Sequence, residues 1–312
     1  MPFGIGGNAR IRTNIPAENA YNSLDVANRN ISTGQLRLST GKRINNAGDD
    51  VAGYITSRAL HARNSALSAS LKAVGDATNV TNIVMDSLEN ISNLLDTIKE
   101  GSATAASGAM GTDEKVALAK AAYRMVQQIQ TVVDTSVFGG RQLLDGTYSA
   151  DFIIGTNAVH DLITLGIDLS PNNVDFNVSS NNFNPNSMLT TIFAGVTGLD
   201  LREFNNVTSN NLGIFSFSQM THTLQSLSYS IDNVNKTASY LGGIVNRLNS
   251  QEEILKGQIT NYNAAISRIE DADVAKEQLQ LVKNQFLQQA SLVSLAQANS
   301  NPQSFLQLIS GR

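Results

Sequence analysis

Along residues 220 to 269, alternating steps of four and three residues visit Met220, Leu224, Leu227, Ile231, Val234, Ala238, Leu241, Val245, Leu248, Glu252, Leu255, Ile259, Tyr262, Ile266 and Ile269, and all but Glu252 are apolar. A seam with this 3.5-residue period predicts one helix about 75 Å long, packed in a left-handed, coiled-coil-like bundle. A second seam runs Ile55, Ala59, Ala62, Ala66, Ala69, Ala73, Ala77, Val80, Val84, Leu88, Ile91, Leu95 and Ile98, with four-residue steps that pull it toward the 3.6 period. Its alanine half predicts close approach of a neighbouring helix. A third helix is expected from Thr112 as N-cap, with Asp113 and Glu114 favouring the dipole in its first turn. Its seam is Val116, Ala119, Tyr123, Val126, Gln130, Val133 and Val137, and Gly139-Gly140 is expected to end it.

From Leu143 to about Leu169 the pattern changes to short β-like runs, DFIIG and DLITLGIDL, which predict a small sheet or hairpin. Residues 172 to 211 hold eleven asparagines with Pro185, the pattern of an irregular, exposed insert.

Both ends carry seams of their own. The first is Ala20, Leu24, Ala27, Ile31, Gly34 and Leu38, and the last is Leu279, Val282, Phe286, Ala290 and Val293. Leu281 with Leu292 and Leu295, and Leu306 with Ile309, make the C-terminal helix apolar on more than one side. Such a helix must be surrounded, and a single N-terminal partner cannot surround it. Contacts with other copies of the chain are therefore expected.

The fold class that follows is mainly α: a long antiparallel coiled-coil bundle formed by both chain ends, with a small β-hairpin and an irregular outer insert. The expected domains are terminal helices at 1–44 and 274–312, a long-helix bundle with a hairpin at 45–150 and 215–273, and a short variable insert at 151–214.

Composition narrows the chemistry. With 22 basic and 26 acidic residues the net charge is -4, too small to point to nucleic acid or an anionic membrane. Residues 1 to 72 carry nine basic and four acidic side chains, so the remainder is acidic, and opposite-sign ends favour stacking on a neighbour. The absence of cysteine excludes disulfides and thiolate chemistry, and three separated histidines make a zinc site improbable. No phosphate-binding glycine loop, HExxH or GxSxG occurs, and the carboxylate pairs Asp49-Asp50, Glu252-Glu253 and Glu270-Asp271 read as helix faces and ends. No enzyme and no cofactor are expected. No 18-residue apolar run and no secretory h-region are present, so neither membrane insertion nor a cleaved signal peptide is expected.

The blocks LRLSTGKRINNAGDDVAGYITSRALHAR at 36 to 63 and RIEDADVAKEQLQLVKNQFLQQASLVSLAQANSNPQSFLQLI at 268 to 309 resemble the N- and C-terminal signatures of bacterial flagellins. The resemblance covers roughly residues 13 to 150 and 215 to 309. It implies a structural subunit that self-assembles as a homopolymer into the extracellular flagellar filament used for swimming. It also implies export without a cleaved signal through the flagellar type III apparatus, an export chaperone, contacts with the filament cap and hook-associated proteins, and co-assembly with sibling flagellins. The terminal segments would line the inside of the filament. On that reading Leu24, Ile31, Leu38, Leu279, Val282, Phe286, Val293, Leu295 and Leu306 are subunit-interface or core seams. Arg43, Asn45, Asp49 and Asp50 fall in the family's inter-domain loop, and Arg268, Glu270 and Asp273 in its partner on the returning chain. Ser179 and Thr208 are candidates for glycosylation. Asn93 stands where receptor-detected flagellins carry Arg, and Thr97 stands near the neighbouring Leu, which implies weak detection by the animal Toll-like receptor for flagellin. The hook–filament junction protein is the nearer alternative, and a lipid-surface helix protein the more distant one. The scarcity of basic residues on the helix at 220–269 speaks against the latter.

Overall fold

The computed structural model describes residues 13–156, 162–170, 173–176, 185, 192–193, 196–197, 200–309 and 311. Among the described residues six α-helices dominate: α1 Ile15–Thr40, α2 Val51–Ala105, α3 Thr112–Thr135, α4 Glu203–Asn206, α5 Phe217–Glu270 and α6 Val274–Ile309. Contacts divide the chain into two units, one of residues 1–64 with 260–312 and one of residues 65–259.

In the first unit α1 pairs with α6. Asn14 caps α1 by accepting the Ala17 N–H at 3.1 Å, and Gly41 ends it in a left-handed conformation with its own N–H on the Arg37 carbonyl. The α1 seam is as the sequence predicts. Ala20, Ala27 and Gly34 are buried, and Leu24, Ile31 and Leu38 are half-buried.

The second unit holds the main hydrophobic core. Val74, Ala77, Val80, Val84, Leu88, Ile91, Leu95 and Ile98 of α2 are fully buried, as are Ala119, Val126, Ile129 and Val133 of α3 and Leu227, Val234, Leu241 and Leu248 of α5. Two seams differ from the sequence reading. On α2, Ala59, Ala62 and Ala69 are exposed, and burial instead follows Leu67, Ser70 and Val74. Leucine and valine bury more hydrocarbon than alanine, so they set which side turns inward. On α5 the seven-residue line from Met220 to Leu255 is buried, yet its companion is not the half-buried line of Leu224, Ile231, Ala238 and Val245. The companion is Thr223, Ser230, Thr237 and Ile244, all buried. The hydroxyls of Ser230 and Thr237 each donate to the carbonyl one turn back at 3.0 Å, so they go inside without an orphaned polar atom.

The N-cap of α3 is Gly111 rather than Thr112, and its N–H reaches the Glu114 carboxylate at 3.0 Å. Gly139 and Gly140 do not end this helix, which stops at Thr135. They form the two-residue turn of the hairpin β1 Val137–Phe138 and β2 Arg141–Gln142, where both have positive φ. The expected larger hairpin is β3 Ser149–Thr156 with β4 Leu162–Asp168, antiparallel and irregular between Ile153 and Gly155. Gln251 of α5 donates to the Ile154 carbonyl at 2.8 Å, which ties the hairpin to the core. A short pair, β5 Ile192–Phe193 and β6 Val196–Thr197, and the helix α4 follow. The edge-to-face pairs Phe176–Tyr240 and Phe204–Phe215 anchor parts of the Asn-rich segment, which is therefore not irregular throughout.

Candidate functional site

The chain's chemistry lies in the first unit, where the two connectors between helices meet. Each connector ends in an aspartate that starts the next helix. Asp50 accepts the Gly53 N–H at 2.9 Å to cap α2, and Asp273 accepts the Lys276 N–H at 3.1 Å to cap α6. Asp49 gathers the Asn45 and Asn46 N–H groups at 2.9 and 3.0 Å, and these hydrogen bonds hold its carboxyl below the ordinary value. A Cβ at Gly53 would lie 2.5 Å from the Asp50 carboxylate and 2.6 Å from the buried Ile44 side chain, so the absence of a side chain lets this turn close.

The connectors cross as a single antiparallel rung between Lys42 and Asp271. The Arg43 N–H donates to the Glu270 carbonyl at 2.6 Å, the Ala272 N–H to the Gly41 carbonyl at 2.9 Å, and the Arg43 guanidinium to the Ile269 carbonyl at 2.7 Å. The buried Glu270 carboxylate then receives Lys42 at 2.5 Å and His61 of α2 at 2.7 Å. The hydrogen bond from Lys42 is the main reason that its carboxyl sits below the ordinary value. Burial opposes that shift, and His61 supports it. Arg43 also faces Asp50 at 3.7 Å, and Arg37 faces Glu277 at 3.3 Å. Arg43, Asn45, Asp49, Asp50, Glu270 and Asp273 thus gather at one junction, while Arg268 is exposed in the last turn of α5. Lys42 and His61, the two side-chain partners of the Glu270 carboxylate, escape a reading by spacing because they lie 228 and 209 residues from it.

The α6 helix meets α1 through its more polar line. Leu281, Asn284, Gln288, Ser291 and Leu295 are half-buried, and Ala298 is buried. The apolar line read from the sequence faces solvent: Leu279 is 69 % exposed, Val282 54 %, Phe286 70 % and Val293 71 %. Leu306 lies in the helix, but its side chain falls outside the described residues, as does Ser179. Thr208 is exposed in a turn closed with Asn211. Asn93 and Thr97 share an exposed face of α2, with the Thr97 hydroxyl on the Asn93 carbonyl at 2.9 Å. Among the described residues no cluster of potential metal ligands occurs, and no helix is long and apolar enough to cross a membrane.

The family model for the bacterial flagellin N-terminal helical region matches residues 11–149, and that for the bacterial flagellin C-terminal helical region matches residues 209–309. The chain belongs to the flagellin family. A flagellin of Bacillus subtilis (strain 168) is 29 % identical over 308 residues, covering 96 % of this chain and 99 % of that protein. One from Halalkalibacterium halodurans is 29 % identical over 303 residues with the same coverage. A flagellar hook-associated protein of Vibrio parahaemolyticus shares the fold at a TM-score of 0.55 and 13 % identity, over 72 % of this chain and all of that one. As a flagellin, the chain is a structural subunit of the bacterial flagellar filament, an extracellular polymer, and it is not an enzyme. Its chemistry is accordingly that of holding helices and copies together.

Proposed function

We propose that filament assembly runs through α1 and α6, with residues 1–44 and 274–312 forming the innermost layer, residues 45–150 and 215–273 the next, and residues 151–214 facing outward. The observation that carries this reading is the set of apolar side chains on α6, Leu279, Val282, Phe286 and Val293, left in water while another line of the helix meets α1. Exposed apolar surface on this scale marks an association site. Leu24, Ile31, Leu38 and Leu295 hold the pair together, and the outward line meets other copies through heterologous contacts that generate a helix rather than a ring.

The junction residues Arg43, Asn45, Asp49, Asp50, Glu270 and Asp273 position that pair, while Arg268 stays exposed at the end of α5. The chain travels to the filament tip through the flagellar type III export apparatus with a chaperone, meets the cap and hook-associated proteins there, and joins sibling flagellins where they exist. Glycosylation, where it occurs, falls on exposed hydroxyls such as Ser179 and Thr208.

The test is negative-stain electron microscopy after salt-induced assembly, with the intact chain beside one lacking residues 1–44 and 274–312. Long uniform filaments from the intact chain alone are expected, whereas filaments from both place assembly elsewhere. Phe286→Ala provides the residue-level arm. Loss of a ring worth about 1.5–3 kcal/mol on burial should raise the concentration needed for sedimentable polymer roughly tenfold or more. Unchanged sedimentation assigns that line to solvent.

A further inference from the structure

The α1–α6 contact repeats every seven residues on both helices. Buried small residues recur at Ala20, Ala27 and Gly34 of α1, and half-buried residues at Leu281, Gln288 and Leu295 of α6. Gly34 lies beside Leu281, and Asn28, next to Ala27, meets Gln288, so the two helices run antiparallel. A slide of one heptad, about 10.5 Å, therefore brings the small α1 residues against the next positions of the α6 repeat. Gly34 would leave Leu281 and meet Gln288, and no bulky knob would be forced from its hole. Nor is Gly34 an exclusive fit, since a Cβ there would lie 3.7 Å from Leu281 Cδ1, an ordinary contact. Among the described residues the polar bonds along the pair are few. Asn28 with Gln288 at 2.7 Å is water-exposed, and Asn14 reaches the Ala298 carbonyl at 2.7 Å. Exposed polar contacts of this kind discriminate weakly between registers.

The connector junction is different in kind. Two backbone hydrogen bonds tie the connectors, the buried Glu270 carboxylate takes Lys42 and His61 beside them, and none of these contacts recurs one heptad away. The bridge from Arg37 to Glu277 lies beside it at the same end of the pair. We propose that the Glu270 junction, rather than the α1–α6 seam, sets the register of the terminal helix pair. The seam supplies closure along the pair, and the junction selects one alignment among those that the heptad repeat leaves nearly equivalent. This inference concerns the same helices as the assembly reading but holds whether or not other copies cover them.

The chain has no cysteine, so register can be read by engineered disulfides in the full-length protein, both soluble and assembled. Gly34→Cys with Leu281→Cys reports the observed alignment, Gly34→Cys with Gln288→Cys a one-heptad slip, and Gly34→Cys with Ala290→Cys, on the far side of α6, separation of the helices. With Glu270 intact only the first pair should cross-link. In Glu270→Gln the slipped pair should gain about tenfold in yield, the scale set by losing hydrogen bonds to a charged group, while the far-side pair stays at background. Lys42→Gln with His61→Gln, which keeps Glu270 itself, should do the same and guards against misfolding of the first variant. A slipped pair that stays at background in both variants overturns the proposal. So does an equal rise of the slipped and far-side pairs, which assigns the junction to closure rather than to register.

Discussion

Glu270 and Lys42, 228 residues apart in the chain, meet with carboxylate oxygen and ammonium nitrogen 2.5 Å apart. Because that hydrogen bond depresses the carboxyl pKa, the stability it contributes is fully present above the ordinary carboxylate value and is lost as the pH falls through the lower folded-state value. Lys42 is half-exposed, so screening limits the contribution to about 1 kcal/mol.

Amide exchange at Arg43 and Ala272 reads this directly. Glu270→Gln should exchange faster than the parent near neutral pH, and the gap should close in acid only once the pH has fallen through the lowered folded-state value and the parent carboxyl is itself protonated. A gap that persists unchanged into acid would assign the effect to packing instead.

The buried line of α5 makes a sharper contrast. Leu241→Ala should cost about 2–5 kcal/mol in chemical denaturation of the second unit. Thr237→Val, equally buried, should change stability by no more than about 1 kcal/mol, since its hydroxyl bonds only within its own helix. Equal losses would mean that the hydroxyl has a second role.

Gly140 sits at φ +80 in the turn between β1 and β2. Alanine there should destabilise by about 1–2 kcal/mol through backbone strain alone. A thermal midpoint equal to that of the parent would show that the turn relaxes.

The exposed face of α2 bears Asn93 and Thr97 rather than Arg and Leu. In a cell reporter for the Toll-like receptor for flagellin, the purified monomer should signal weakly, and Asn93→Arg with Thr97→Leu should raise the response. A strong response from the parent contradicts the expectation.

Much of the architecture was legible in apolar spacing. The line Met220, Leu227, Val234, Leu241 and Leu248 is buried along its length, and the β3–β4 hairpin and the α1 seam stand where the pattern put them. What spacing concealed has three physical sources. Serine and threonine enter the core of α5 because the preceding turn satisfies their hydroxyls, and a count of hydrocarbon passes over them. Alanines on α2 satisfy the period yet offer too little surface to decide which side turns inward, so Leu67 and Val74 decide it. The partners of Glu270 come from a connector and from another helix, and no local periodicity links positions that tertiary structure alone brings together.

The outward apolar line of α6 has a thermal consequence. Any assembly that covers Leu279, Val282, Phe286 and Val293 releases the water ordered around them, so its driving force near room temperature is entropic and its heat-capacity change is negative. Such contacts weaken as water cools. A filament closed through this face would therefore loosen first in the cold, at the contacts of α6, while the Leu88–Ile91–Leu95 core of each subunit stays folded.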